Sequence, residues 1–561
     1  MTTLTSESLQ RRVDAAQGRI PCDVVIKNVR FLDVFTCKWR PGDISIIDGC
    51  IVGIEPGLKG KREIDGTARA VVPGFIDAHV HVESSLMMPH VFDAMVLPKG
   101  TTSAVCDPHE LANVKGVSGI EYFLEQASEL KLNLQVMLSS CVPATHLETN
   151  GGGKVTAEQL VTLAGHPHAL GLAEMMNVPG VLNGDPEVMA KLLAFSNHRI
   201  DGHCPLVRGQ ALSAYASVGI SSCHESTQFE EAQEKLIKGI SVWIREGSVA
   251  KDLNELVPLL NLANSTSVGF CTDDRNPKDI ADEGHLDFLI RRAIAKGVSP
   301  EVAYRAASWT VARHYGFRDR GAIAPGYQAD LVMLSDFIGC EIAEVLSQGR
   351  LVSELEFSSS APTSFENTVL MQTPEAKDLE GPSGQVHVIV VEAGKIITGR
   401  KVDAHNAPGV ARLSVVERYG KGSPPANGYV SGFGESFEGA IASSVGHDSH
   451  NLIVVGQEAR DMKVALQCIK EMGGGFCVVH HEKVLASLPL PFGGLMTSES
   501  PESVVSSLRN LHEASHSIGC QVPEPFLQLA FLSLPVIPSL KLTDQGLVDV
   551  DKFSFINVSA A

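Results

Sequence analysis

Between residues 71 and 273, short apolar runs alternate with stretches whose apolar residues recur every three or four positions. The runs are VVPGFIDAHVH (71–81), TTSAVCD (101–107), LNLQVMLSSCV (132–142), ALGLAEM (169–175), RIDGHC (199–204), ISSCHE (220–225), ISVWIRE (240–246) and SVGFCTD (267–273). Short apolar runs of this kind, bounded by turn residues, read as buried strands. Between them, VSGIEYFLEQASELK (117–131) has helical periodicity. Thr227 and Glu230 have the spacing of a capping box, and Phe229, Ala232, Leu236 and Ile237 follow as an apolar stripe. Strands alternating with helices over this span predict a (β/α)8 barrel.

The flanks have a different pattern. DVVIKNVRFLDV (23–34) and DISIIDGCIVGI (43–54) read as short strands broken by turns, and GAIAPGYQADLVMLS (321–335) resembles them. Residues 1–70 and 321–357 are therefore expected to form one small β-domain, split by a barrel over 71–320. Residues 358–384 have linker composition. Residues 385–561 alternate strand and helix signals again, which predicts a separate C-terminal α/β or α+β domain.

A chain of 561 residues is long enough for such a division. No uninterrupted apolar run reaches the roughly 18 residues of a membrane span, and the polar first residues lack the apolar segment of a secretory signal. The net charge of −19 argues against nucleic-acid and anionic-membrane partners. Twelve scattered cysteines without a CxxC suit reduced thiols in a cytoplasm-like compartment. A homo-oligomer is the expectation from the general prevalence of symmetric assemblies.

In a barrel of this type the chemistry sits at the C-terminal ends of the strands. The first strand ends in His79 and His81, whose spacing puts both imidazoles on one side. The fourth ends with Glu174, the fifth with His203, the sixth with His224 and the eighth with Asp273. An apolar strand has no structural need of any of these groups. Together they form a mixed imidazole–carboxylate set suited to Zn, Fe(II) or Mn(II). Other motifs fail. His81-Val82-Glu83 matches the HxE of one zinc deaminase fold, but no PCxxC follows. His109-Glu110 is followed by Asn113 where HExxH requires histidine. No phosphate-cradling glycine motif is present.

The order HxH, acid, His, His, Asp resembles the amidohydrolase superfamily. VVPGFIDAHVH and GAIAPGYQADLVML are similar to the segments that lead that superfamily's chain into and out of its barrel. HVHVESSLMMP, GTTSAVCDPHE, DGHCPLVRG, SSCHESTQFEEA with IREGS, and CTDDRNPKDIADEGH most closely resemble the bacterial adenine deaminase family. SSVGHDSHNLIVVG resembles that family's appended C-terminal domain. The resemblance implies a hydrolase of purine salvage that converts adenine to hypoxanthine and ammonia. It implies two divalent metals per chain, Mn or Fe(II) foremost and Zn as an alternative. His79, His81 and Asp273 would hold one and His203 and His224 the other, with Glu174 bridging. Asp273 would also move the proton between the nucleophile and the leaving ammonia. A further acid must protonate the ring nitrogen; Glu246, Glu83 and Glu225 are the candidates. His109, Glu110, Glu225, Asp274 and Arg275 are candidates for contact with substrate.

Some readings stay open at this stage. The Asp107–Glu110 loop either shapes the pocket, holds an additional metal or caps the next helix. GHDSHN (446–451) reads as a polar turn, or as a loop closing the site if its domain folds over the barrel mouth. The rival functions are another amidohydrolase, cleaving a cyclic amide or N-acyl bond, and a metal-free scaffold on the same fold.

Overall fold

The computed structural model describes residues 4–357 and 366–560. Eight parallel strands run in sequence order around a barrel. They are Phe75–Val80, Thr101–Cys106, Asn133–Leu138, Ala169–Met175, Arg199–Gly202, Ser222–Cys223, Ser241–Arg245 and Val268–Cys271, here barrel strands one to eight. The ring is closed by a parallel bridge between Val80 and Asp273, where Asp273 N–H donates to the His79 carbonyl at 3.0 Å. Every residue of strands one and two is buried, as expected where a parallel sheet is covered on both faces.

The first apolar run divides. Ala70–Pro73 belongs to the small β-domain, where it pairs antiparallel with Leu331–Asp336, and only Phe75–Val80 enters the barrel. Gly74 is the joint. A Cβ there would lie 2.1 Å from Thr102 Oγ1, so the backbone passes too close for any other residue. The small domain joins five N-terminal strands, beginning with Cys22–Asp33, to three that follow the barrel, in one eight-stranded sheet. Ile26, Phe31, Ile44, Val71, Leu331 and Met333 form its core. The polar N-terminus also carries a helix, Ser6–Ala16, opened by a capping box from Thr5 to Ser8.

The helix over Val117–Ala127 buries Ile120, Phe123, Leu124 and Ala127. The helix after barrel strand six departs from expectation. Phe229–Ile237 is capped by Gln228 with no side-chain bond, so the Thr227–Glu230 capping box is not formed. Glu231 takes its place: its carboxylate accepts from the Thr227 and Leu206 amides at 3.3 and 2.8 Å and from buried Lys235 at 2.8 Å. Of the expected stripe, Ala232 is buried while Ile237 is exposed.

The C-terminal domain holds a third eight-stranded sheet, mostly antiparallel, with one parallel pair between Gln385–Val390 and Ala426–Ser431, and a small three-stranded sheet. Helix Ala459–Met472 packs on it through Met462, Ala465, Leu466 and Ile469. The segment expected to be a linker is partly structural. Residues 358–365 lie outside the described residues, but Val369, Met371 and Leu379 are buried in the core beneath that helix. Val369 and Met371 turn inward on either side of exposed Leu370, which the segment's Pro, Gly and Ser content concealed.

This domain sits on the barrel. Met88 N–H donates to Thr497 O at 3.0 Å and Thr497 N–H to Leu86 O at 2.9 Å. Lys421 Nζ donates to Asn150 O at 2.8 Å, and Asn451 Nδ2 to Thr149 O at 2.7 Å. One apolar cluster runs through both units, from Leu111 and Val114 of the barrel to Leu495 and Met496. Among the described residues, no helix is long and apolar enough to cross a membrane.

Candidate active site

The polar ends of barrel strands one, four, five, six and eight meet at one buried point. His79 and His81 Nε2 are 3.1 Å apart. Glu174 Oε1 lies 3.3 Å from His81 Nε2 and 3.7 Å from His79 Nε2. Its other oxygen lies 2.7 Å from His203 Nδ1 and 3.3 Å from His224 Nε2. Asp273 Oδ1 is 3.2 Å from His81 Nε2 and 3.5 Å from His79 Nε2. Three overlapping trios draw on these six residues with spacing fit for a metal ion: His79–His81–Glu174, His79–His224–Asp273 and Glu174–His203–His224.

The backbone prepares this arrangement. Asp273 takes a left-handed conformation, φ 54°, which costs an L-residue energy and is common at functional sites. The bonds between Asp273 and the His79–His81 segment hold it there. Burial alone would raise the Glu174 carboxyl, but His203 and His224 hold it well below the usual range. Burial is likewise overridden at Asp273 by His79, His81 and Arg245. Arg245 Nη1 donates to Asp273 Oδ2 at 3.0 Å, and also bonds Glu225.

The donor chemistry fits divalent transition metals. His81 Nδ1 lies 2.9 Å from the Asp107 carbonyl, an acceptor only, so Nδ1 carries the proton. With Nδ1 engaged there, Nε2 is the nitrogen left to ligate a metal, and it faces His79 Nε2, Glu174 and Asp273. Two imidazole nitrogens and two carboxylates turned on one another are explained by a cation between them, and the carbonyl behind His81 is the supporting contact such ligands usually have.

The remaining candidates separate into two groups. His109, Glu110, Glu225 and Asp274 line the pocket above the cluster. His109 Nδ1 stands 3.3 Å from Glu174 Oε1 and 3.1 Å from Asp107 Oδ2, and Asp107–His109–Glu174 is itself a trio of metal-site spacing. The helix that starts at His109 has no side-chain cap, so the Asp107–Glu110 loop serves the pocket rather than the helix. Asp274 Oδ1 accepts from Ser84 Oγ at 2.5 Å. By contrast, Glu246, Glu83 and Arg275 do not line the pocket. Glu246 Oε2 accepts the Leu253 amide at 3.0 Å, and Glu83 Oε1 the Leu111 amide at 3.1 Å. Arg275 is turned inward to the Gly284 and Glu246 carbonyls and to Glu283.

The C-terminal domain completes the pocket, and the polar-turn reading of GHDSHN is corrected. His447 and Asp448 from that loop line it, with Ile396, Phe531, Leu534 and Ile537. The His447 ring stacks on Phe531 with centroids 4.8 Å apart. His447 Nδ1 and His450 Nε2 each contact one oxygen of Glu110, which ties the loop to the barrel. His450 Nδ1 accepts the Gly446 amide at 3.2 Å, so Nε2 holds the proton and turns it towards Glu110. Sequence reasoning named neither Asp448 nor the apolar roof as pocket residues; the paired histidines of GHDSHN were the available signal.

A barrel with imidazoles and carboxylates converging at its strand ends defines a metal-dependent hydrolase architecture, and the amidohydrolase family model matches residues 70–352. The adenine deaminase C-terminal domain model matches residues 390–554. Adenine deaminase of Brucella suis is 49% identical over 98% of this chain and 96% of its own. That of Gluconobacter oxydans is 50% identical over 98% of this chain and 100% of its own. A solved adenosine deaminase from Xanthomonas campestris with bound zinc is similar at TM-score 0.43 and 16% identity, over 59% of this chain and 93% of that one. The chain belongs to the adenine deaminase family of the amidohydrolases.

Proposed function

We propose that this protein hydrolyses adenine to hypoxanthine and ammonia, with two divalent transition-metal ions held by His79, His81, Glu174, His203, His224 and Asp273. The observation that carries the reading is the convergence of these six groups, five of them buried and His203 half-buried, beneath a pocket closed by an adenine-deaminase-type domain. Mn(II) or Fe(II) is the expected occupant, with Zn(II) as the alternative. When bound, such ions supply the Lewis acidity that makes a water nucleophilic near neutral pH.

The chain's own groups do the rest. Asp273 is held ionised by Arg245 and the two histidines, so it is a ready acceptor for the proton the nucleophile gives up at C6. Its oxygen on the cluster side can return that proton to the departing amine, as general acid–base catalysis requires. The ring nitrogen beside C6 takes its proton from a pocket carboxyl. Glu225 and Asp274 line the pocket and are assigned as the candidates; Glu246 and Glu83 are not among its lining residues. The Phe531, Leu534 and Ile537 side chains exclude water above the ring and present apolar surface to its faces.

A cytoplasmic role in purine salvage, as a homo-oligomer, accompanies this reading. Ammonia release from adenine, set against adenosine, a hydantoin and dihydroorotate, tests it. Adenine is expected to give the highest kcat/KM; a preference for a cyclic amide would favour the rival amidohydrolase.

A further inference from the structure

The pocket has two unlike walls. Its floor is the ligand cluster at the barrel rim. Its roof comes from the C-terminal domain and is mostly apolar, through Ile396, Phe531, Leu534 and Ile537. Asp448 interrupts that roof. The residue is 3% exposed, and Oδ2 has no hydrogen-bond partner. Oδ1 is 3.8 Å from both His109 Nε2 and His447 Nδ1, too far for a hydrogen bond. A buried carboxylate oxygen left unpaired is costly, and few native groups are left so. An ionised carboxylate can only accept. The missing partner is therefore a donor that arrives with the ligand.

Adenine supplies one in the required place. If C6 faces the floor, the five-membered ring points towards the roof, and its outer edge carries N9–H. In a nucleoside that hydrogen is replaced by the glycosidic bond. We propose that Asp448 Oδ2 accepts N9–H of the free base and thereby selects the base over N9-substituted purines. The inference rests on the reading that places C6 over the six-residue cluster. It assigns to the C-terminal domain a direct part in choosing the substrate. A site built around a hydrogen bond discriminates strongly against a ligand lacking it, because the buried partner is then stranded.

The test compares adenine with 9-methyladenine in the metal-loaded full-length protein. kcat/KM is read by ammonia release, alongside metal content and circular dichroism. Wild type is expected to favour adenine by about 100-fold or more. Asp448→Asn keeps the shape and a weaker acceptor; Asp448→Ala removes the acceptor. Adenine kcat/KM should fall by roughly 10-fold and roughly 100-fold respectively, with 9-methyladenine not reduced and metal content unchanged. Leu534→Ala enlarges the same roof without touching the acceptor and should retain the preference for adenine. Parallel loss on both substrates, or full adenine activity in the Asp448 variants, would overturn the assignment. So would a collapse of preference in Leu534→Ala as large as in Asp448→Ala, which would make the selection steric. Failure of wild type to release ammonia from adenine at all would remove the reading beneath it.

Discussion

Replacing Glu110 with glutamine should loosen the C-terminal loop from the barrel by an amount set by His447. Burial alone would lower the His447 imidazole; Glu110 first, then Asp274, then Asp448 raise it instead, to about 9 from 6.5. His450, also against Glu110, is pushed down by burial to about 4 and is neutral at pH 7. The charged pair is thus Glu110 with His447. At about 1.4 kcal/mol per pH unit, the rise in His447 corresponds to roughly 3 kcal/mol. Because the folded-state value is raised, this stabilisation is complete below pH 6.5 and is lost as pH climbs through about 9. Asp274 and Asp448 remain in Glu110→Gln, so roughly 3 kcal/mol is the upper bound, equivalent to about 100-fold in the opening equilibrium. Amide hydrogen exchange over residues 444–451 and 530–537 reads it directly. At pH 7 the variant should exchange up to about 100-fold faster than the parent, and the ratio should shrink towards one above pH 9. An unchanged exchange rate, or a ratio constant from pH 6 to 10, would refute the reasoning.

Other substitutions separate the roles assigned to the remaining carboxylates. Glu174→Gln should lower metal content by mass spectrometry and cut adenine turnover by at least ~100-fold while circular dichroism is preserved; normal turnover at full metal content would exclude a bridging role. Glu246→Gln should keep kcat within a few-fold and lower stability by about 1 kcal/mol or less, because the amide oxygen is a weaker acceptor for the Leu253 N–H, measured by thermal unfolding. Glu225→Gln should instead cut kcat by about 100-fold; if Glu246→Gln has that effect and Glu225→Gln does not, the reading of barrel strand seven is wrong.

The barrel was legible because its strands are buried on both faces and read as apolar runs. The division at Gly74 was not. Ala70–Pro73 and Phe75–Val80 are both fully buried, so nothing in their hydrophobicity marks the passage from one sheet to the next. The six ligand candidates were legible because a polar residue at the end of an apolar strand stands out. Glu246, Glu83 and Arg275, named from the same strand-end segments, do not line the pocket. A side chain at a strand end can turn into the pocket or back to a nearby backbone group, and the pattern does not encode which. The roof was hidden for another reason. Asp448 lies 175 residues beyond Asp273 in the chain, and its place over the pocket depends on how one domain docks on another. Only the clustering of His447, Asp448 and His450 in one turn hinted at it.

The central claim is that adenine hydrolysis depends on two metals held by the six-residue cluster. The most direct measurement is titration of metal-free protein with Mn(II), Fe(II) or Zn(II) while ammonia release from adenine is followed. The account predicts no release without metal, activity rising until two equivalents per chain are bound, and hypoxanthine as the product. Saturation at one equivalent, or turnover in metal-free protein, would contradict it.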